Sequence, residues 1–271
     1  MITISDQEFK RIADFIHSHY GIHLKDEKRA LVAGRLYPVL TKLGMTSFTE
    51  YFNYLVGDRT GEAVATLVDK MTTNHTFFMR ETAHFDYFRD YVLPFLEHVC
   101  KDRDLRIWSA ACSSGEEPYT LAMIMDEYFG NERALWDTRV LATDISNAVL
   151  DAAKEGIYGS DKIAPLPDSW KTRYFNRYDS NQFVLVDRIR NQVIYRKYNL
   201  MDKGCPFKRK FHVIFCRNVM IYFDNATKEE LVDRLYEMME YGGYLFIGQS
   251  ESLNRDSTRF KYVMPAVYRK L

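Results

Sequence analysis

From about Leu105 onward, short apolar β-type runs alternate with amphipathic helices, and this alternation constrains the fold more than any other feature of the chain. The runs are Leu105–Ala110, Arg139–Thr143, Val193–Tyr195, Val213–Phe215, Gly243–Gly248 and Tyr262–Tyr268. Helical spacing falls between them over Pro118–Phe129, through Val149 and Ala153, and over Ala226–Met239. Strands separated by helices pair in parallel, and a parallel sheet needs both faces covered. The run Phe183–Val186 and the Val193 run, joined by Asp187–Gln192, are expected to form a hairpin on the sheet edge.

The first seventy residues follow a different period. Ser5 and Glu8 make a capping box, Phe9, Ile12, Ala13 and Ile16 recur at helical spacing, and Gly21 ends the run. A second helix is predicted over 26–42, stopped by Gly44, with Pro38 expected to kink it or end it early. Thr46-Ser47-Phe48 and Thr60-Gly61-Glu62 open a third and a fourth. With 271 residues the chain can bury two cores. The predicted division is a helical domain over 1–71, a linker motif and connecting helix over 72–104, and an α/β domain over 105–271 with a β-subdomain at about 171–198.

Charge excludes some functions. Lys plus Arg and Asp plus Glu both number 37, so the chain is neither a basic nucleic-acid coat nor an acidic disordered protein. Between Trp170 and Arg217, however, twelve basic residues face three acids, which predicts a basic face. Cys100, Cys112, Cys205 and Cys216 form no CxxC pair and read as reduced thiols, so no metal site is expected. No apolar run reaches the ~18 residues of a membrane span, and no signal-peptide pattern opens the chain. A cytoplasmic protein without membrane insertion is the expectation.

Four stretches carry chemistry. The first, Trp108–Pro118, is a strand–loop–helix turn of small residues that places Glu116 and Glu117 where a phosphate cradle would carry Lys or further Gly. Acids at a helix start also serve as simple dipole partners. The loop suits a cationic, phosphate-free ligand better than a dinucleotide. The second is Asp144, ending the second strand, where an acid holds ribose hydroxyls or caps the helix that follows. Together they fit S-adenosylmethionine, an adenosyl sulfonium without pyrophosphate. Thr72–Glu81 crowds amide, hydroxyl and guanidinium groups at the domain junction. Phe215–Phe223 puts Arg217, Asn218 and Tyr222 beyond the carboxyl end of the fourth strand, where open α/β sheets bind ligands.

In this order, TTNxTxFxRE, SAACSSGEEPYT, ATDIS, YNL and FCRNVMIYF make the chain resemble the CheR family of chemotaxis receptor methyltransferases over nearly its whole length. The resemblance implies a class I S-adenosylmethionine-dependent methyltransferase sheet: seven mostly parallel strands, the last antiparallel, with a small N-terminal all-helical domain and an inserted β-subdomain. It implies an enzyme that forms glutamyl methyl esters on the acidic cytoplasmic helices of methyl-accepting chemoreceptors, releasing S-adenosylhomocysteine. Carried over by motif position, Asn74, Thr76 and Arg80, then Glu117 and Asp144, then Asn199 and Leu200, and finally Arg217 and Asn218 are the implied cofactor contacts. Glu117 is preferred to Glu116 by family position alone, and His75 and Met79 receive no role.

Arg80 and Tyr222 are the expected catalytic pair, orienting the incoming carboxylate. On the helix after Gly21, Arg35 is the expected docking residue, although Tyr37, Pro38, Val39 and Thr41 occupy a stretch that is more basic in relatives. Some relatives bind a receptor C-terminal pentapeptide through a Gly-containing insertion in the β-subdomain. Asn176–Phe183 has no Gly, which predicts tether-independent action. Two other readings compete. Nucleic-acid methylation draws on the basic segment but lacks an Asp/Asn-Pro-Pro-aromatic motif, so no nucleic-acid partner is expected; a non-catalytic cofactor-binding adapter is opposed by the intact site residues.

Overall fold

A computed structural model describes residues 2–72, 75–204 and 206–271. The N-terminal domain packs α1 (Asp6–Tyr20), α2 (Arg29–Lys42), α3 (Phe48–Gly57) and α4 (Glu62–Met71) around Ile12, Ile16, Leu36, Leu40, Phe48 and Leu67, all fully buried. The capping box forms as expected: the Ser5 hydroxyl accepts from Glu8 N–H while Glu8 Oε2 accepts from Ser5 N–H at 2.9 Å. Left-handed Gly21 then closes α1, with its N–H donating to the His17 carbonyl. Helix α2 does not end at Pro38 but runs four residues further. Leu36 and Leu40 flank the proline and are fully buried, so their packing outweighs the missing backbone bond.

The chain crosses to the second domain through α5 (Thr82–Tyr87), a π-turn at Phe88–Val92 and α6 (Leu93–Val99). There follow β1 (Ile107–Ala110), α7 (Glu116–Phe129), β2 (Val140–Asp144), α8 (Asn147–Glu155), β3 (Ile157–Gly159), α9 (Ser160–Ile163) and α10 (Asp168–Tyr174). The rest comprises β4 (Phe175–Arg177), β5 (Gln182–Leu185), α11 (Asp187–Arg190), β6 (Val193–Lys197), β7 (Phe211–Cys216), α12 (Asn225–Glu237), β8 (Met239–Ile247), β9 (Lys261–Met264) and β10 (Val267–Arg269). Seven strands form one sheet in the order β6-β2-β1-β7-β8-β10-β9. The first five are parallel, and β10 is antiparallel to both neighbours. This is the class I methyltransferase sheet.

Three boundaries differ from expectation. The predicted edge hairpin does not form: β6 joins the main sheet parallel to β2, while β5 pairs with β3 and β4 in a separate antiparallel sheet. That small sheet spans 157–185 instead of 171–198. The closing run Tyr262–Tyr268 folds into two strands, β9 and β10, because Ala266 takes a left-handed φ of 61° and turns the chain back. Helix α7 starts at Glu116 and not at Pro118, since Gly115 at φ 92° lets the chain enter the helix directly.

Acids distant in sequence take up four of the twelve basic side chains of the segment from Trp170 to Arg217. Asp126 pairs with Arg173 and Arg188, Asp102 and Asp104 pair with Arg209, and Glu81 and Glu117 hold Arg217.

Two histidines are withdrawn from solvent, His84 fully buried on α5 and His212 part-buried on β7. Burial, reinforced by Arg217, depresses His84 to about 4 despite Glu81. Burial and Arg106 likewise depress His212 to about 4 against Glu240, Asp102 and Asp104. Both rings take up protons on unfolding, so the unfolded chain binds more protons between about 6.5 and 4, and stability must rise with pH across that window and be lost on acidification. Urea unfolding across it should show at most ~1.4 kcal/mol per pH unit from each ring. His212→Gln should flatten the slope, and an unchanged slope would contradict the assignment.

Candidate active site

Beyond the carboxyl ends of β1, β2 and β7 lies a cleft of about 130 Å³, open to the surface and walled on one side by the helical domain. Thr76, Arg80, Glu117, Asp144, Asn199, Leu200, Arg217, Asn218 and Tyr222 all line it, drawn together from five sequence-distant segments. Asn74 lies outside the described residues. The helical domain contributes Tyr20, Val68, Asp69 and Thr72 to the opposite wall.

The floor is a turn of small residues. Ala111 and Ser113 adopt φ of 67° and 50°, followed by Gly115 at 92°. A Cβ on Gly115 would meet the Tyr195 hydroxyl at 2.6 Å and Ala153 Cβ at 2.9 Å, so glycine is required by space as well as by conformation. Asp144 accepts from the Ser113 N–H at 2.9 Å and the Ser146 N–H at 3.1 Å. Ser146, not Asp144, caps α8, since its hydroxyl accepts from Val149 N–H. Asp144 therefore organises the β1–α7 loop and remains on the cleft wall. Burial pushes its carboxyl up, opposed by the Ser146, Ser113 and Ile145 N–H groups.

The two loop acids separate cleanly. Glu116 is fully buried, accepting from the Ser114 hydroxyl at 2.7 Å and pairing with Lys162 at 3.2 Å, and it does not reach the cleft. Glu117 faces the cleft and accepts from the Ser109 hydroxyl at 2.7 Å and from Arg217 at 2.9 Å. Arg217 is itself buried, with its second guanidinium nitrogen 3.0 Å from Glu81 and also donating to the Arg80 carbonyl. Asn218 and the Gln249 N–H both donate to Glu81 at 3.1 Å. Burial raises both carboxyls. In Glu81 the partners Arg217 and Asn218 outweigh it and hold the group low, whereas in Glu117 burial prevails. Sequence reasoning did not single out Glu81 or Glu251, which accepts from the N–H groups of Asn218, Gly248 and Ile221. The only available signal for Glu81 was its place at the end of the linker motif.

Arg80 is a cation on the wall whose guanidinium donates to the His75 carbonyl at 2.6 Å and has no carboxylate partner among the described residues. Asp69, from α4, has a buried Oδ1 without a hydrogen-bond partner among the described residues, and it too lines the cleft. Asn199 spends its side chain on the His19 carbonyl, at 2.8 Å, and on the Met201 N–H, at 3.0 Å. Arg35 is placed away from the cleft, donating to the Lys70 and Met71 carbonyls at the end of α4, both at 3.1 Å. Burial pushes the Cys112 and Cys216 thiols well up, so neither supplies a thiolate nucleophile at neutral pH.

Two family profiles match the chain. One, described as "CheR methyltransferase, all-alpha domain", covers residues 7–72, and the other, "CheR methyltransferase, SAM binding domain", covers residues 74–268. The chemotaxis protein methyltransferase of Borreliella burgdorferi is 41% identical over 99% of this chain and 96% of its own length. Those of Vibrio parahaemolyticus and Escherichia coli are 36% and 35% identical, over 100% and 98% of this chain and 98% and 92% of theirs.

The buried Arg217 should dominate the stability of the site. Arg217→Met leaves two carboxylates facing each other without a counter-charge, and unfolding free energy at pH 7 should drop by ~3–5 kcal/mol. Adding Glu81→Gln should recover part of the loss. A drop below ~1 kcal/mol in urea titrations would show that the network is not a stabilising hub.

Proposed function

The chain belongs to the CheR methyltransferase family, a class of S-adenosylmethionine-binding enzymes, and from that premise we propose that it esterifies glutamate side chains on the cytoplasmic helices of chemoreceptors, for chemotactic adaptation. One observation carries the reading. A single cleft is lined by two carboxyl side chains, Glu117 and Asp144, and by a cation, Arg80, that has no carboxylate partner among the described residues. The anions suit a sulfonium-bearing nucleoside, and the lone cation suits an incoming carboxylate.

The residues fit the cofactor on their own chemistry. Small backbone at Ala111–Ser113 permits close approach, the carboxylates disfavour phosphate, and the orphaned Asp69 oxygen offers one more acceptor. When bound, S-adenosylmethionine supplies an electrophilic methyl group whose departure to a carboxylate oxygen leaves neutral S-adenosylhomocysteine. Asp144 takes the ribose hydroxyls, with Ser113 and Ser146 fixing its orientation. By motif position, Glu117, Thr76, Asn218 and Asn74 are assigned to the amino-acid end of the cofactor. Asn199 and Leu200 meet the adenine through main chain and apolar contact, since the Asn199 amide is engaged elsewhere.

A glutamate has an ordinary pKa of ~4.3 and is ionised at cytoplasmic pH, so no general base is needed. Arg80 and Tyr222 orient it and displace water from it. Arg80 is tethered to the His75 carbonyl, which favours positioning over full neutralisation of the nucleophile. Docking is assigned to the exposed face of α2, where Lys28 and Lys42 flank Arg35 and steer an acidic helical bundle. Arg35 then has two tasks, because it also caps α4. The turn between β4 and β5 is tight and glycine-free, which supports action without a pentapeptide tether.

Labelled S-adenosylmethionine incubated with the enzyme and receptor-bearing membranes should place base-labile label on receptor-sized bands. Label on RNA, or cofactor binding without any transfer, would overturn the proposal. Arg80→Ala should lower turnover by ~10²-fold or more with the fold intact, and ordinary activity in that variant would remove its role. Asp69→Asn should weaken S-adenosylhomocysteine binding about tenfold in calorimetry, the loss of one charge-assisted hydrogen bond. A receptor C-terminal pentapeptide should give no micromolar binding heat.

A further inference from the structure

Outside the cleft, the described residues bring one set of metal-ligating side chains together: His17 in the last turn of α1, His23 just past it, and Asp224 at the start of α12. We infer that these three side chains form a site for a divalent transition-metal ion that clamps the helical domain to the segment carrying Tyr222. The inference stands on geometry and is independent of the methyl-transfer reading.

His17 Nε2 lies 2.8 Å from Asp224 Oδ2, and the donor atoms of all three residues lie within 4.8 Å of one another. The two imidazole rings are 5.8 Å apart and nearly perpendicular. Ligands of a tetrahedral ion with bonds of ~2.1 Å sit ~3.4 Å apart, so the His–Asp contact must open by about half an ångström and His23 must swing inward. Both movements are available, because His23 is exposed and the other two are only part-buried.

The backbone beneath the ligands is already fixed. Left-handed Gly21 sets the angle between His17 and His23, and the His23 N–H donates to the Tyr222 carbonyl at 2.8 Å. Ile22 and Phe223 form an antiparallel bridge beside it. The second Asp224 oxygen accepts from the Thr227 N–H at 2.8 Å, which orients the carboxylate as an outer-shell partner does in metal sites. The carbonyl end of α1 adds a negative dipole favourable to a cation.

Two imidazoles and one carboxylate select zinc, nickel or copper over magnesium or calcium, with solvent supplying the fourth ligand. A plain His17–Asp224 hydrogen bond would make no demand on His23, and this is where the two interpretations part. The clamp also bears on the cleft. Tyr20 and Ile22 on one side of it, and Tyr222 and Phe223 on the other, all line the cleft wall, so an ion there fixes two of its walls together.

The test uses the full chain, stripped with chelator and titrated with Zn²⁺ in calorimetry, and with Co²⁺ in absorption spectroscopy. One equivalent of Zn²⁺ should bind with micromolar or tighter affinity and raise Tm, and Co²⁺ should give the visible bands of a four-coordinate ion. His23→Ala, a change at an exposed ring, should weaken Zn²⁺ binding at least 30-fold and abolish the bands. His17→Ala should do the same. Wild-type protein that binds no Zn²⁺ at micromolar concentration, or His23→Ala protein that binds it as tightly as wild type, would overturn the inference.

Discussion

The site depends on one buried guanidinium. Arg217 follows β7, Glu81 ends the linker motif and Glu117 stands in the first turn of α7 after β1, and the two ion pairs at 3.0 and 2.9 Å draw all three segments to one point. Burying three charges is costly, and attraction offsets that cost only when every hydrogen-bonding position is filled. Here Ser109, Asn218 and the Gln249 N–H fill those around the acids, while the buried Arg217 Nε has no partner among the described residues, so the offset is incomplete at the guanidinium itself. The network leaves Glu117 with one face on the cleft and a net charge shared with Arg217, and it leaves Arg80 outside the cluster. The division between a spent arginine and an available one is what gives the cleft separate anionic and cationic zones.

Strain is concentrated in the same place. Of the seven described non-glycine residues with left-handed φ, five (Met79, Glu81, Ala111, Ser113 and Asn218) sit in the segments that build the site. Each costs of order 1 kcal/mol and persists only where the surroundings over-determine it. The determinants are visible. Glu81 is held by Arg217, Asn218 and Gln249, Asn218 is held through its N–H by Glu251, and Ser113 donates its N–H to Asp144. Side chains buried for their charge thus fix the backbone that shapes the pocket, and the pocket is preformed rather than assembled on ligand binding.

Much of this was legible in the sequence because it is local. The capping box, the small-residue turn, the acid after β2 and the Arg-Asn pair after β7 are short-range patterns with short-range causes. What was not legible is long-range. Val193–Lys197 has the alternation of any half-buried strand, and only tertiary pairing assigns it to β2 instead of to the small sheet. The partial neutralisation of the basic excess in 170–217 was not legible because the partners, Asp102, Asp104, Asp126, Glu81 and Glu117, lie up to 136 residues away. Asp69 carries no sequence mark at all: within α4 it is one acid on an amphipathic helix, and its meaning comes from the domain interface.

That interface explains why a methyltransferase sheet carries a helical domain. The class I sheet supplies a floor and one wall, and an open crevice leaves a sulfonium and a carboxylate both solvated. Tyr20, Val68, Asp69 and Thr72 close the other side. Solvation of the nucleophile opposes displacement, because a hydrated carboxylate must shed water before its lone pair can approach the methyl carbon. Covering the cleft with a separate domain, tied to the sheet domain by the Asn199–His19 and His17–Asp224 contacts and the Ile22–Phe223 bridge, provides that exclusion while leaving an opening for an external side chain. A reaction that needs no base still gains from a sheltered cleft, and the helical domain supplies its second wall.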